Sequence, residues 1–171
     1  MIVIVMLFIY LILIFLAMTF YWSLVIVYTM YSRVRINRML ENINTVEDLQ
    51  YIPFKVFLPL IAEVFKRKGY SVKITDKCGE EGNGLILDNM RYVEILRRAL
   101  NHEVDCEAAM KLAKCMQSNA IYRGMIITLG EFKHNTRMFC HKNVIECITG
   151  PQLLAMFKEV QKKKEILQTI H

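Results

Sequence analysis

The stretch that decides the fold runs from Gly79 to Arg98 and reads GEEGNGLILDNMRYVEILRR. It opens in a turn over Cys78–Gly84 whose three glycines, Gly79, Gly82 and Gly84, give the backbone freedom that side chains would deny it. Leu85-Ile86-Leu87 is a short apolar run of strand type, and Arg91–Leu96 is a second. Between them stands Asp88-Asn89, a pair that tolerates the left-handed backbone of a tight hairpin turn. One step back, Ser71–Thr75 alternates as a further strand. Three short strands in succession, joined by turn residues, predict a β-meander.

Helical periodicity brackets the meander on both sides. Thr45-Val46-Glu47-Asp48 reads as a helix start, with a capping hydroxyl and acids in the first turn. Pro53 interrupts it, and a second helix is predicted up to Lys68, with Gly69 as its stop. Phe54, Phe57, Leu58, Ile61, Ala62 and Phe65 follow helical spacing there, and Pro59 should kink or shorten the helix. Downstream, Val104–Ser118 is a predicted helix, Met125–Thr128 a buried-type strand and Asn135–His141 a short helix. Val144–Ile148 is a last strand, and Gly150-Pro151 opens an amphipathic helix to about Ile170. The predicted fold class is α/β, in the order α-β-β-β-α-β-α-β-α: a mixed sheet flanked by helices.

This part, residues 46–171, follows a very different beginning. Residues 1–31 carry no charge, and only Thr19, Ser23 and Thr29 interrupt the apolar run. A hydrocarbon core of ~30 Å needs about 20 helical residues, so this segment predicts one transmembrane helix preceding the domain. Phe20, Tyr21, Trp22, Tyr28 and Tyr31 crowd its last third, as at a membrane interface. A cleaved signal peptide fits poorly, because no basic region precedes an apolar run of this length. Arg33, Arg35 and Arg38 follow at once, in a stretch (residues 32–45) that reads as a polar juxtamembrane linker. The positive-inside rule then predicts a single pass through the cell membrane, amino terminus outside and the domain in the cytoplasm.

Outside the span about 46% of residues are hydrophobic, an ordinary globular fraction. That excludes a polytopic transporter and a disordered chain. The same part carries the whole net charge of +6, which suits anionic lipid or nucleic acid without choosing between them. Cys78, Cys106, Cys115, Cys140 and Cys147 are odd in number and lack a C-x-x-C pair, which predicts free thiols in a reducing compartment. Cys140-His141 lacks a matching second pair, so no metal site is expected from it.

The words and their order resemble the Mrr-type restriction endonuclease domain of the PD-(D/E)xK nuclease superfamily. FLPLIAEVFKRKGYSV, Phe57–Val72, resembles the family's first helix ending in Gly-Tyr-x-Val. GEEGNGLIL, Gly79–Leu87, stands where the family shows G-D-x-G-x-D-L-I-L, and YVEILRR, Tyr92–Arg98, where it has a strand ending in Q-x-K or E-x-K. GMIITLGEF, Gly124–Phe132, and ITGPQLL, Ile148–Leu154, complete a likeness over roughly residues 50–160. The resemblance implies a nuclease in which an Asp and a second carboxylate or Gln hold a divalent cation, while a Lys serves the attacking water.

Set onto this sequence, those roles fall on unsuitable residues. The family's Asp position falls on Gly84, after Asn83, and a further Glu position on the first helix falls on Leu58. The third motif has two registers: Ile95 and Arg97 replace its pair, or Glu94 keeps the carboxylate while Leu96 replaces the Lys. Arg97 cannot act as a base, though it can bind phosphate. Glu94 and Glu81 are the residual carboxylate candidates, with Glu80 and Asp88 as solvated turn acids. His102, His134 and His141 read as surface histidines, and Lys162–Lys164 as a solvated or membrane-facing stripe.

The expectation is therefore a membrane protein whose nuclease-type domain has lost cleavage and binds DNA or a partner protein. Arg97, Arg98, Lys133 and His134 are the candidates for DNA contacts. No metal ligand set and no small-molecule cofactor is expected. Two alternatives remain: an active tethered endonuclease, with Mg²⁺ and an unusual site built on Glu94, Glu81 and Arg97, and a structural scaffold.

Overall fold

The computed structural model describes residues 2–76, 84–96 and 99–169; Cys78, Glu80, Glu81, Asn83, Arg97 and Arg98 lie outside them. The chain divides into two units, Met1–Met39 and Leu40–His171. The first is nearly all of helix α1, Ile2–Asn42. Its segment Ile9–Asn42 includes an 18-residue window of mean hydropathy 2.3, so this helix is long and apolar enough to cross a membrane. The three hydroxyls inside it close on carbonyls one turn back: Thr19 on Leu16, Ser23 on Phe20 and Thr29 on Ile26, at 2.7–2.9 Å. Each polar group is thus satisfied within the helix, as a hydrocarbon environment demands.

The stretch expected to be a polar connector is helical as far as Asn42. Residues 32–42 contain neither glycine nor proline, and arginine is a good helix former, so nothing stops the helix there.

In the second unit, Thr45 caps helix α2, Val46–Tyr51, in a capping box. Its Oγ1 accepts from the Asp48 backbone N–H at 3.2 Å, and the Asp48 carboxylate accepts from the Thr45 N–H at 2.9 Å. These backbone bonds, from Asn44 and Thr45, hold the Asp48 carboxyl below its ordinary value. Helix α3, Phe54–Arg67, ends as predicted. Gly69 has φ +99°, the Gly69 N–H reaches the Lys66 carbonyl and the Tyr70 N–H the Phe65 carbonyl, as in a Schellman stop. The shortening expected at Pro59 does not occur. Leu58, Leu60 and Ile61 around it are buried, and that packing outweighs the single lost backbone bond.

The meander is present: β1 Val72–Thr75, β2 Gly84–Leu87 and β3 Arg91–Leu96. Asp88 and Asn89 have φ +52° and +56°, the left-handed pair a type I′ turn needs. Asp88 also accepts from the Ser71 N–H at 2.8 Å, tying the turn to the start of β1. Helix α4, Cys106–Ser118, then leads to β5, Arg123–Thr128; helix α5, His134–Lys142, leads to β7, Ile145–Ile148, and α6 follows over Gly150–Thr169. The main sheet has the order β1-β2-β3-β5-β7, antiparallel in the meander and parallel beyond β3. This is the predicted mixed sheet between helices.

One feature was not foreseen. Glu103–Val104 (β4) and Glu131–Phe132 (β6) form a two-stranded parallel sheet, so Val104 belongs to a strand and α4 begins only at Cys106. Two-residue strands are too short to show alternation in a sequence.

Strand register sorts the side chains into two layers, because residues paired across strands point to the same face. Tyr92, Leu96, Ile126 and Ile145 lie on the face covered by α4 and α5, where they pack with Leu112, Met116 and Cys140. Leu85, Leu87, Val93, Ile95, Met125 and Ile127 alternate onto the other face, against α3 and α6. Leu153, Phe157 and Val160 supply the buried stripe of α6. A Cβ on Gly124 would meet Met116 Sδ at 2.6 Å, which shows how closely α4 lies on β5.

Cys106, Cys140 and Cys147 are free thiols, but Cys115 is disulfide-bonded, which corrects the expectation of free cysteines throughout. Counting cysteines says nothing of which sulfurs the fold brings together. Cys147 is held below the ordinary thiol value by a hydrogen bond from Cys140 and by Arg137; the same bond, with burial, pushes Cys140 up.

Candidate functional site

The positions onto which the resemblance sets the nuclease motif meet across β2 and β3. Gly84 pairs with Glu94, Glu94 pairs with Ile126 on β5, and Thr75 pairs with Gly84 from the edge. Thr75, Gly84, Glu94 and Ile126 therefore form one row on the α4 face. Leu96 is two residues further along β3, on the same face, beside Thr128. Ile95 points to the opposite layer and is 2% exposed. Of the described residues in the two motif registers, Glu94 and Leu96 share a face with position 84 and Ile95 does not. Arg97 lies outside the described residues.

Glu94 is 2% exposed, a carboxylate sunk among Tyr92, Leu96 and Ile126. Its Oε2 is buried without a hydrogen bond, although the residue as a whole is engaged. Next to it Gly84 brings only backbone, and Leu96 brings a hydrocarbon where an ammonium would be needed. Leu58, buried on α3, likewise offers no oxygen. Magnesium and manganese need several oxygen ligands in nearly octahedral array. Among the described residues no three His, Cys, Asp or Glu side chains come together to hold a metal. These residues do not fit the cation that the chemistry of this fold calls for, and Glu80 and Glu81 lie outside the described residues.

The described basic candidates, Lys133 and His134, are at the same end of the sheet, where β3 and β5 run out. Lys133 precedes α5, and His134 is its first residue; both are exposed. Lys133 Nζ is 2.6 Å from Asp105 Oδ1, and that bond raises the lysine's pKa. Arg137, one turn along, is 2.6 Å from Glu131. The structure thus brings Lys133 and His134 together, with Lys133 already held by an acid. Arg98, like Arg97, lies outside the described residues. His102 sits in the loop before β4, and its carbonyl crowds Gly130; His141 lies near the other end of the sheet, at the end of α5.

Sequence reasoning missed the partners of this row. Thr75 Oγ1 is 3.3 Å from Tyr92 Oη, a polar link between the edge strand and the buried β3 tyrosine. No sequence signal pointed to it, because it depends on a diagonal contact across two strands.

A meander and two helix-linked parallel strands, with position 84 set against Glu94 and helices on both faces, define the restriction endonuclease-like class of fold. Residues 49–157 match the family model of the Mrr-type restriction endonuclease domain, and the chain belongs to that family. No curated protein and no solved structure matches the chain.

Proposed function

We propose that this is a single-pass membrane protein whose restriction endonuclease-type domain faces the cytoplasm, binds duplex DNA and has lost the ability to cut it. The observation that carries the reading is the row on the α4 face, where Glu94 has Gly84 and Leu96 as same-face neighbours instead of a second carboxylate and a lysine. Among the described residues this row holds one carboxylate, and one carboxylate does not by itself fix a cation and an attacking water in line. Binding makes smaller demands. A net charge of +6 outside the span, with Lys133 and His134 at the end of the sheet where position 84 lies, supports sequence-independent contact with phosphates.

The expected result is weak binding of the full chain, in detergent, to duplex of any sequence at ~50 mM salt, lost by ~200 mM as counterions are released. Absence of binding at the lower salt would favour the scaffold reading, and tight binding indifferent to salt would contradict the electrostatic argument. Orientation rests on Arg33, Arg35 and Arg38 following an uncharged helix, since the cysteines no longer bear on it. An amine reagent that cannot cross membranes should leave Lys55, Lys73 and Lys111 unmodified in intact cells and modify them after lysis. Labelling from outside would reverse the topology and remove the DNA role.

A further inference from the structure

At the end of the sheet opposite Gly84 and Leu96, a cleft of about 390 Å³ opens among Arg91, Arg123, His141, Val144 and Glu146. We propose that it binds the phosphate group of a small phosphorylated ligand of nucleoside monophosphate size, with Arg123 and His141 as the principal contacts and Arg91 in support.

The argument starts from strand register. Arg91 and Arg123 are paired neighbours at the starts of parallel strands β3 and β5, so two guanidinium groups emerge side by side on one face. Like charges directly opposed across strands destabilise a sheet. Among the described residues one acid answers them: Glu146 on β7, whose Oε2 is 3.2 Å from Arg91 Nη1. That pair holds Arg91 while leaving most of its five donors available. Arg123 is exposed and makes no ion pair or side-chain hydrogen bond among the described residues, and the same holds for the His141 ring. A phosphate placed between them would complete the charge balance, in the planar bidentate geometry for which arginine is suited.

The shape favours a small occupant over a duplex. The volume is in the range of small-ligand clefts, and its wall includes Val144, a β-branched residue with φ +56° that is 60% exposed. Leu96 is five residue steps along β3 from Arg91, roughly 16 Å at ~3.3 Å per step, so this cleft is distinct from the degenerate nuclease row.

The test titrates the full chain in detergent with inorganic phosphate and, separately, with AMP, by calorimetry. Both should bind, AMP more tightly because the cleft is larger than a bare phosphate. Arg123→Ala and His141→Ala should each weaken AMP at least about tenfold, as expected for losing a charge-assisted contact. Arg123→Lys should fall between wild type and Arg123→Ala, and Tyr122→Ala, which alters an exposed neighbour outside the cleft, should change nothing. Circular dichroism confirms that each variant is folded, and His141→Ala, on an exposed helix residue outside the sheet, keeps the test open should Arg123→Ala not fold. Three results would overturn the proposal: no binding of either probe into the millimolar range, equal affinity in wild type and both alanine variants, or displacement of AMP by duplex DNA, which would make the cleft part of a DNA surface.

Discussion

Supercoiled DNA incubated with the purified full chain and Mg²⁺ or Mn²⁺ is expected to remain uncut, and the double variant Gly84→Asp/Leu96→Lys is expected to gain metal affinity first and nicking afterwards. Restoring a missing ligand and a missing cation should change cleavage by orders of magnitude, because the step depends on holding metal, water and phosphate in line. The choice of Leu96 over Arg97 comes from strand register: Leu96 shares a face with positions 84 and 94, while Ile95 lies in the other layer. Leu96 is 1% exposed, so a lone lysine there would be an unpaired buried charge. With Asp at position 84 beside Glu94, the new ammonium gains partners, and the double variant should be more stable than Leu96→Lys alone. Adding Glu94→Gln should abolish the recovered metal binding. Cleavage by the unaltered chain, lost on Glu94→Ala or Glu81→Ala, would mean that the site has been rebuilt with other residues and would sink the proposal.

Gly130→Ala should be the most damaging small substitution in the domain, at about 3 kcal/mol or more. A Cβ there would lie 2.1 Å from the His102 carbonyl oxygen and 2.9 Å from that of Ala99. Both obstacles are backbone, in the loop leading to β4, and the β4–β6 pairing fixes the two chains against each other. Gly124→Ala provides the control. Its nearest obstacle, at 2.6 Å, is Met116 Sδ, on a flexible side chain that can move aside. Urea denaturation should therefore place Gly124→Ala between wild type and Gly130→Ala. The reverse order would show that the β5–α4 contact, and not the β5–β6 turn, is the tightest point of the fold.

Much of the architecture was legible because its signals are local. The Thr45 cap, the Gly69 stop, the Asp88-Asn89 turn and the strand over Arg91–Leu96 each depend on neighbours in sequence, and each is where the sequence placed it. The misreadings have the same explanation in reverse. Helix α1 runs past Arg33, Arg35 and Arg38 to Asn42, because polarity by itself does not end a helix. Pro59 is carried by the packing of Leu58, Leu60 and Ile61, and β4 and β6 are too short to announce themselves.

By itself the sequence determined that an uncharged apolar helix precedes a basic α/β domain, and that position 84 lacks a carboxylate, since a missing side chain is visible in any conformation. Tertiary structure alone decided which residues stand beside that position. Two candidate registers of β3 differ by one residue, and with a side-chain period of two that one residue separates opposite faces of the sheet. Pairing with β2 and β5 selects Glu94 and Leu96 and sends Ile95 to the other layer. The same long-range pairing sets Arg91 beside Arg123, residues 32 positions apart that no local pattern connects.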